Sequence, residues 1–113
     1  MVDLENATVV DEALIQEVTR RIIERFHPEK VILFGSHARG DARPDSDLDL
    51  IVVMVSDKDY YDRTFEVAKL FLPRGWPMDM IVYTPDEYEI AQSHIGMLPS
   101  LIQGQSRELY AKH

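Results

Sequence analysis

The chain has 113 residues, of which 20 are acidic and 12 are basic, so it carries a formal net charge of −8. This balance disfavours a general nucleic-acid coat protein, and the 45% hydrophobic content excludes disorder for most of the chain. The absence of cysteine excludes disulfides, thiolate zinc sites and a cysteine nucleophile, and no apolar run is long enough to enter a membrane. We therefore expect a cytoplasmic protein with a single domain over residues 1–113.

The first half of the chain predicts one helix and two strands. Apolar residues recur at every fourth position from Val10 to Phe26, which predicts the helix, and Thr8 with Asp11 resembles a capping box at its start. The run from Lys30 to Phe34 is short and rich in branched apolar side chains, which predicts a buried strand. The run from Leu48 to Val55 is almost continuously apolar, which predicts a second strand covered on both of its faces.

The second half predicts a helix, a strand and a further helix, followed by two short elements. Apolar residues at helical spacing from Tyr61 to Leu72 predict the helix, and Met78 to Tyr83 predicts the third strand. Thr84 to Glu87 combines an N-cap threonine, a proline at the first helical position and a glutamate three residues after the cap. Pro99 to Gln103 predicts a short helix, and Glu108 to Tyr110 a short edge strand. The alternation of helices and strands predicts an α/β (α+β) fold.

Acidic residues mark the starts of two predicted strands. Asp47 and Asp49 stand two residues apart, so both carboxylates face the same side, with about 7 Å between their Cα atoms. An unpaired carboxylate would be costly to bury at the start of such an apolar strand, which indicates a bound cation. Asp79 begins the next strand between two methionines and adds a third carboxylate. The similar pair Asp57 and Asp59 is interpreted instead as a solvated loop before a helix.

A tight turn follows the first predicted strand. Gly35 and Ser36 open this turn, and its backbone N–H groups and small hydroxyl could face a phosphate, although an ordinary turn has the same composition. Arg39 and Arg43 add two positive charges nearby, which favours a bound polyphosphate. For this turn to meet the carboxylates, the first two strands must be antiparallel and the second and third parallel. The sequence therefore predicts a mixed sheet.

Together these residues resemble the motif of the nucleotidyltransferase superfamily that includes DNA polymerase beta. Gly35-Ser36 is followed by ten residues, by Asp47-Leu48-Asp49, and by Asp79 on the next strand. The resemblance implies the nucleotidyltransferase fold, with a small mixed sheet of three to four strands flanked by helices. The short chain is most similar to minimal nucleotidyltransferases of prokaryotes. These are often paired with a helical HEPN-domain protein in toxin–antitoxin modules, where the small enzyme can adenylylate its partner.

The resemblance also implies roles for particular residues. Asp47 and Asp49 would bind Mg²⁺, with two ions expected and Mn²⁺ as a substitute. Asp79 would complete the metal site and activate the acceptor hydroxyl. The nucleotide-binding residues would contact the triphosphate of ATP. They are Gly35, Ser36, Arg39 and Arg43.

The sequence is also compatible with two other functions. The chain could be an antitoxin that covers its partner with little catalysis, or a stand-alone enzyme that modifies a small molecule such as an aminoglycoside. We expect a HEPN-type partner protein, disfavour nucleic acid and leave a homo-oligomer open. His37 could contact a phosphate or face solvent, Tyr60 and Tyr61 are expected to be half-buried, and Trp76 is expected to cover the edge of the core.

Overall fold

A computed structural model describes residues 2–94, 96–102 and 104–112 of the chain. Helices and strands alternate along most of its length. In chain order the elements are α1 (Glu12–Phe26), β1 (Lys30–Phe34), α2 (Ser36–Arg39), β2 (Leu48–Val53), α3 (Tyr60–Ala68), a 3₁₀ turn (Lys69–Phe71), β3 (Met78–Tyr83), α4 (Pro85–Ser93), α5 (Leu98–Leu101) and β4 (Arg107–Ala111).

The strands form one sheet in the order β3-β2-β1-β4. β1 is antiparallel to both β2 and β4, whereas β2 and β3 are parallel. The connection through α3 is long enough to carry the chain back across the sheet, as a parallel pair requires. These pairings confirm the predicted mixed sheet and the α/β fold class, and β4 confirms the predicted edge strand.

Both faces of the sheet are covered by apolar side chains. On one face, Leu48, Leu50 and Val52 of β2 belong to the larger core cluster, together with the buried side chains of α1. On the other face, Ile51 and Val53 pack with side chains of β1, α4 and α5. This double cover explains why β2 is almost continuously apolar, and it confirms the prediction for Leu48–Val53. Val55, at the predicted end of the strand, lies outside it and is 79% exposed.

Helix α1 begins differently from the predicted capping box. Asp11 is the N-cap, and its side chain accepts a hydrogen bond of 2.8 Å from the backbone N–H of Leu14. Thr8 is exposed and lies outside the helix, so its predicted role is wrong. The reason is that an aspartate directly before the first helical residue already satisfies a free N–H group. The other end is as predicted, because His27 ends the helix in the left-handed conformation with φ of 49°.

Helix α3 begins where it is predicted, but it ends at Ala68 and gives way to the 3₁₀ turn before the predicted end at Leu72. It also does not bury the face that its apolar spacing indicates. Tyr61 is 80% exposed and Phe65 is 61% exposed, so the expectation of half-buried packing is wrong for Tyr61. The buried face carries Val67 and Arg63 instead. Burial of Arg63 is tolerated because its guanidinium is hydrogen-bonded, with Nε donating to the carbonyl oxygen of Val82 at 3.0 Å.

Trp76 belongs to the core, as expected. Its side chain is buried, and its Nε1 donates a hydrogen bond of 2.9 Å to the backbone carbonyl of Leu4. Its ring lies 6.1 Å from that of Phe71. These contacts attach the N-terminal segment to the loop that precedes β3.

The predicted start of α4 is confirmed in detail. Thr84 Oγ1 accepts from the backbone N–H of Glu87 at 3.3 Å, and Glu87 Oε1 accepts from the N–H of Thr84 at 3.1 Å. The predicted short helix corresponds to α5, although Gln103 at its expected end is outside the described residues. Within the described ranges, no helix is both long and apolar enough to cross a membrane.

Candidate active site

A turn at the end of β1 brings the first part of the motif into place. Gly35 follows the last residue of β1 and adopts φ 75° and ψ −159°, a conformation that is essentially restricted to glycine. Its carbonyl oxygen accepts from the N–H groups of Ala38 and Arg39, both at 3.1 Å, and these bonds close the helical turn α2. Ser36 is therefore the first residue of α2 and lies half-buried beside the end of β1.

Register places two of the predicted carboxylates next to each other. In the parallel pair, Asp49 of β2 lies opposite Asp79 of β3, and on its other side Asp49 lies opposite Phe34 of β1. Neighbouring strands are about 4.8 Å apart, so these backbones are close. Asp47 directly precedes β2 and lies two residues from Asp49, on the same side of the strand. Asp47 and Asp79 are exposed, whereas Asp49 is half-buried.

The carboxylate of Asp49 is the most perturbed group of this region. Its pKa is raised from 3.8 to about 6, first because burial disfavours its charged form and then because the charges of Asp79 and Asp47 repel it. The charges of His37 and Arg39 act in the opposite direction. The predicted residues on three different segments of the chain therefore share one electrostatic environment.

The possible metal ligands at this site are the carboxylate oxygens of Asp47, Asp49 and Asp79. Among the side chains that the structure describes, no three His, Cys, Asp or Glu residues are arranged so that they could jointly hold an ion. The carboxylates of Asp47, Asp49 and Asp79 therefore act on one another electrostatically without converging on a common point. Their chemistry nevertheless fits a hard divalent cation, because each supplies oxygen ligands and Asp49 is held in a surplus of negative charge.

The two arginines differ in their relation to the site. Arg39 is exposed at the end of α2, its charge acts on Asp49, and its Nε lies 3.4 Å from Asp41 Oδ2. Arg43 lies in the exposed loop between α2 and β2, where its backbone N–H donates to Ser46 Oγ at 2.8 Å. The charge of Arg43 is not among those that act on Asp49. Arg39 therefore interacts electrostatically with Asp49, whereas Arg43 shows no such interaction in the described structure.

His37 is a site residue whose role the sequence left undecided. Its side chain is half-buried in α2, its Nε2 lies 3.3 Å from the carbonyl oxygen of Ser46, and its charge acts on Asp49. The half-buried position and the contact with Ser46 distinguish His37 from a fully solvent-facing side chain. The only available signal was its position next to Ser36 in the turn, and this signal is too common to be decisive.

Comparison with protein families and with a related protein agrees with this geometry. A family model described as a nucleotidyltransferase domain matches residues 15–103. A protein of Methanocaldococcus jannaschii with the provisional name protein adenylyltransferase is 38% identical over 74 residues, which are 64% of this chain and 72% of that protein.

Solved structures share the fold at lower identity. A protein of Sulfolobus solfataricus, provisionally named a nucleotidyltransferase, has a TM-score of 0.61 at 22% identity, over 88% of this chain and 79% of that one. A mutant of the toxin–antitoxin pair MntA–HpeT has a TM-score of 0.56 at 22% identity, over 92% and 75% of the two chains. A toxin–antitoxin structure with AMP-PNP has a TM-score of 0.55 at 16% identity, over 87% and 74%.

The family match extends from α1 to the end of the described helices and includes the Gly35 turn and all three carboxylates. The resemblance stated from the motif and the enzyme class that it implied are both confirmed. The sequence, the mixed sheet and the family match agree that this chain belongs to the nucleotidyltransferase domain family.

Proposed function

We propose that this chain is a Mg²⁺-dependent nucleotidyltransferase that transfers AMP from ATP to a hydroxyl group of a partner protein. The observation that carries the proposal is the placement of Asp49, whose carboxylate lies against Gly35 and beside Asp79, with a pKa raised to about 6. Burial and neighbouring charge both disfavour an ionised carboxylate there, and a cation would remove that cost. Family membership implies a nucleotide substrate, and the name protein adenylyltransferase of the relative from Methanocaldococcus jannaschii supports ATP as the donor.

The metal would be held by the carboxylates of Asp47, Asp49 and Asp79, and the exposed side chains of Asp47 and Asp79 would turn towards Asp49 when the ion binds. A donor set made only of oxygen suits Mg²⁺ and accepts Mn²⁺ as a substitute. Two such ions would stabilise the entering and leaving oxygens of an in-line displacement at phosphorus. Asp49 would have the most fixed position of the three, because its side chain is confined by the backbone of Gly35.

The other tasks fall to side chains of the chain itself. Ser36, which the turn at Gly35 places at the start of α2, would hold the triphosphate through its hydroxyl, and Arg39 and Arg43 would offset the triphosphate charge. Asp79 would accept the proton of the acceptor hydroxyl while the new oxygen–phosphorus bond forms and the bond to pyrophosphate breaks. The products are the AMP-modified acceptor and pyrophosphate.

Several observations support a protein as the acceptor. The relative from Methanocaldococcus jannaschii carries the provisional name protein adenylyltransferase, and two structural neighbours are toxin–antitoxin complexes. Asp79 is exposed on β3, which is one of the two edge strands of the described sheet, so a large partner can approach it. The net charge of −8 favours a partner with a basic face over nucleic acid. We propose a HEPN-type helical protein, with this chain as the antitoxin-type component of the pair.

We further propose that residues 1–113 form one domain that works in the cytoplasm. One domain is supported by contacts between distant parts of the chain, since β4 pairs with β1 and Trp76 donates to the carbonyl of Leu4. A chain without cysteine suits the reducing cytoplasm.

Intact-mass spectrometry of the partner tests the proposed function. The chain, ATP and Mg²⁺ are incubated with the product of the neighbouring gene, and we expect a mass increase of the size of AMP on that protein. Asp47→Asn, Asp49→Asn and Asp79→Asn should each abolish the increase. Asp57→Asn is the matched control, because Asp57 also belongs to an Asp-x-Asp pair but lies in an exposed loop.

The other functions predict different masses. A partner that binds tightly but remains unmodified would favour an antitoxin that only covers its partner. AMP on a small molecule or on RNA instead would contradict the protein acceptor. Modification that survives Asp49→Asn would contradict the site itself.

A further inference from the structure

A groove of about 320 Å³ lies between α3 and α4, beside the last residue of β3. Its walls are apolar and come from Tyr60 of α3, Tyr83 of β3, Ile90 of α4 and Met97 before α5. Three of these side chains are exposed to a large extent, and Ile90 is 60% exposed. The groove therefore presents apolar surface that the described chain leaves in contact with water, although burial would be favourable.

The floor of the groove is polar and fixed. Arg63 is only 4% exposed, and its Nε donates to the carbonyl oxygen of Val82 at 3.0 Å while Nη1 donates to that of Lys58 at 3.3 Å. Its Nη2 donates to the carboxylate of Glu87, which links α3 to α4. Because two of these bonds join α3 to β3 and to α4, the walls are held apart by hydrogen bonds within the chain and not by a ligand.

The charges around the groove are negative. Helix α4 has no basic residue, and its Asp86 lies four residues before Ile90 and so on the side of the helix that faces the groove. At the start of α3, Lys58 forms an ion pair with Glu66, and Arg63 with Glu87, so these two cations are compensated within the chain. Asp59, the N-cap of α3, lies four residues before Arg63 and so on the side of that helix that faces the groove. An apolar ligand with positive flanks would match both the walls and the rim.

The groove is also close to the proposed active site. Tyr83 and Asp79 lie four residues apart on β3 and therefore face the same side of the sheet. At about 3.3 Å per residue, this separation is about 13 Å. An extended segment of about four residues spans such a distance, so a partner anchored in the groove could place a hydroxyl near Asp79.

From these observations we infer that the groove between α3 and α4 is the docking site of a partner protein, which inserts a large apolar side chain flanked by lysine or arginine. This inference rests on the proposed function, because it says how the partner that receives AMP is held. A second copy of this chain is a poorer occupant, since two chains of net charge −8 repel each other.

Methyl NMR with synthetic peptides tests the inference without ATP or metal. The probe is a twelve-residue peptide with one central leucine and two lysines on each side of it, and the signals are the methyl groups of Ile90 and Met97. We expect these signals to shift and saturate. A peptide with glutamate in place of lysine, and one with serine in place of leucine, should each bind at least about fivefold more weakly.

Two variants with equal exposure separate the groove from other apolar surface. Ile90→Gln should weaken the lysine peptide at least about fivefold, because it removes one apolar wall and leaves the charge unchanged. Phe65→Gln should leave binding unchanged, since Phe65 is 61% exposed but lies two residues from Arg63 and so on the opposite side of α3. Equal effects of the two variants, or no shift at Ile90 and Met97, would overturn the inference. If the Ile90 and Met97 signals shift with the concentration of the chain and not with that of the peptide, the groove binds a second copy of the chain and the inference of a basic partner is wrong.

The same peptides separate a failure here from a failure of the proposed function. Peptide binding should persist in Asp49→Asn, because none of the three proposed metal ligands, Asp47, Asp49 and Asp79, lines the groove. AMP transfer to the partner that is insensitive to Ile90→Gln would overturn the docking site and leave the proposed function intact. Peptide binding in the groove without any AMP transfer to the partner would uphold the docking site and contradict the proposed function.

Discussion

The carboxylate of Asp49 lies directly against the backbone of Gly35, so closely that a β-carbon on Gly35 would stand 2.1 Å from Asp49 Oδ2. No side chain other than hydrogen fits there. The conformation of Gly35, with φ of 75°, also disfavours every other residue. Glycine in this motif is therefore required twice, once by the backbone and once by the carboxylate that we propose as a metal ligand.

Gly35→Ala should abolish AMP transfer and lower the free energy of unfolding by about 2 to 3 kcal/mol, because strain and a steric clash combine. Gly40→Ala is the matched control, since Gly40 also has a positive φ, of 87°, but nothing lies within 4 Å of its added β-carbon. That variant should cost about 1 kcal/mol and retain activity. Urea denaturation with an activity assay measures both effects. Equal losses of activity in the two variants would contradict the role of the contact with Asp49.

The raised pKa of Asp49 predicts how stability depends on pH. Its folded pKa of about 6 exceeds the ordinary value of 3.8, so the folded state binds the proton more tightly than the unfolded state. The resulting stabilisation is fully present below about pH 4 and is lost as the pH rises through 6. Because Asp49 is only half-buried, we expect an effect on the order of 1 kcal/mol.

Asp49→Asn should remove this contribution. In metal-free buffer the variant should be more stable than the parent at pH 7.5, with the difference shrinking towards pH 4, while AMP transfer is lost. Urea denaturation of both proteins between pH 4 and pH 8 measures the difference. A parent and a variant with parallel pH profiles would show that Asp49 is not perturbed.

Ser36 and Asp79 should affect different kinetic constants. Ser36→Ala should raise KM for ATP, because its hydroxyl is proposed to hold the triphosphate, with a smaller effect on kcat. Asp79→Asn should lower kcat with little change in ATP affinity, because Asp79 is proposed to accept the proton of the acceptor. Steady-state kinetics with calorimetric ATP binding distinguishes the two. The same pattern of change in both variants would contradict the separate roles.

Arg63 should be important for stability although arginine is rarely buried. Arg63→Met would leave the carbonyl oxygens of Val82 and Lys58 without their donors, and we expect a loss of about 3 kcal/mol in the free energy of unfolding. Arg20→Met is the control, because the ion pairs of Arg20 with Glu17 and Glu24 lie on the exposed side of α1 and should contribute less than about 1 kcal/mol. Thermal denaturation of both variants gives the comparison. A difference close to zero would contradict the structural role of Arg63.

The order of the elements and the candidate site could be predicted because their signals are local or follow from strand direction. An Asp at the start of β2 and another at the start of β3 become neighbours in any parallel pair, so Asp49 and Asp79 could be placed together from their positions alone. The contact between Asp49 and Gly35 could not be predicted, since it depends on the dihedral angles of one turn.

The buried face of α3 was unpredictable for a different reason. Tyr61 and Phe65 have helical spacing and apolar character, and Arg63 on the other side of the helix is charged. Arg63 is buried because its guanidinium donates hydrogen bonds to the carbonyl oxygen of Val82 and to the carboxylate of Glu87. These two acceptors lie close to Arg63 only in the folded chain. The apolar spacing of α3 predicts that it is a helix, whereas its buried side depends on hydrogen-bond partners that are distant in sequence.

Labelled ATP gives the most direct test of AMP transfer at this site. The chain, the partner and Mg²⁺ are incubated with ATP labelled on either the α-phosphate or the γ-phosphate, and the label on the partner is counted. A nucleotidyltransferase should transfer the α-label alone and release the γ-label in pyrophosphate, with both signals absent in Asp49→Asn. Transfer of the γ-label, or of α-label that persists in Asp49→Asn, would contradict the account.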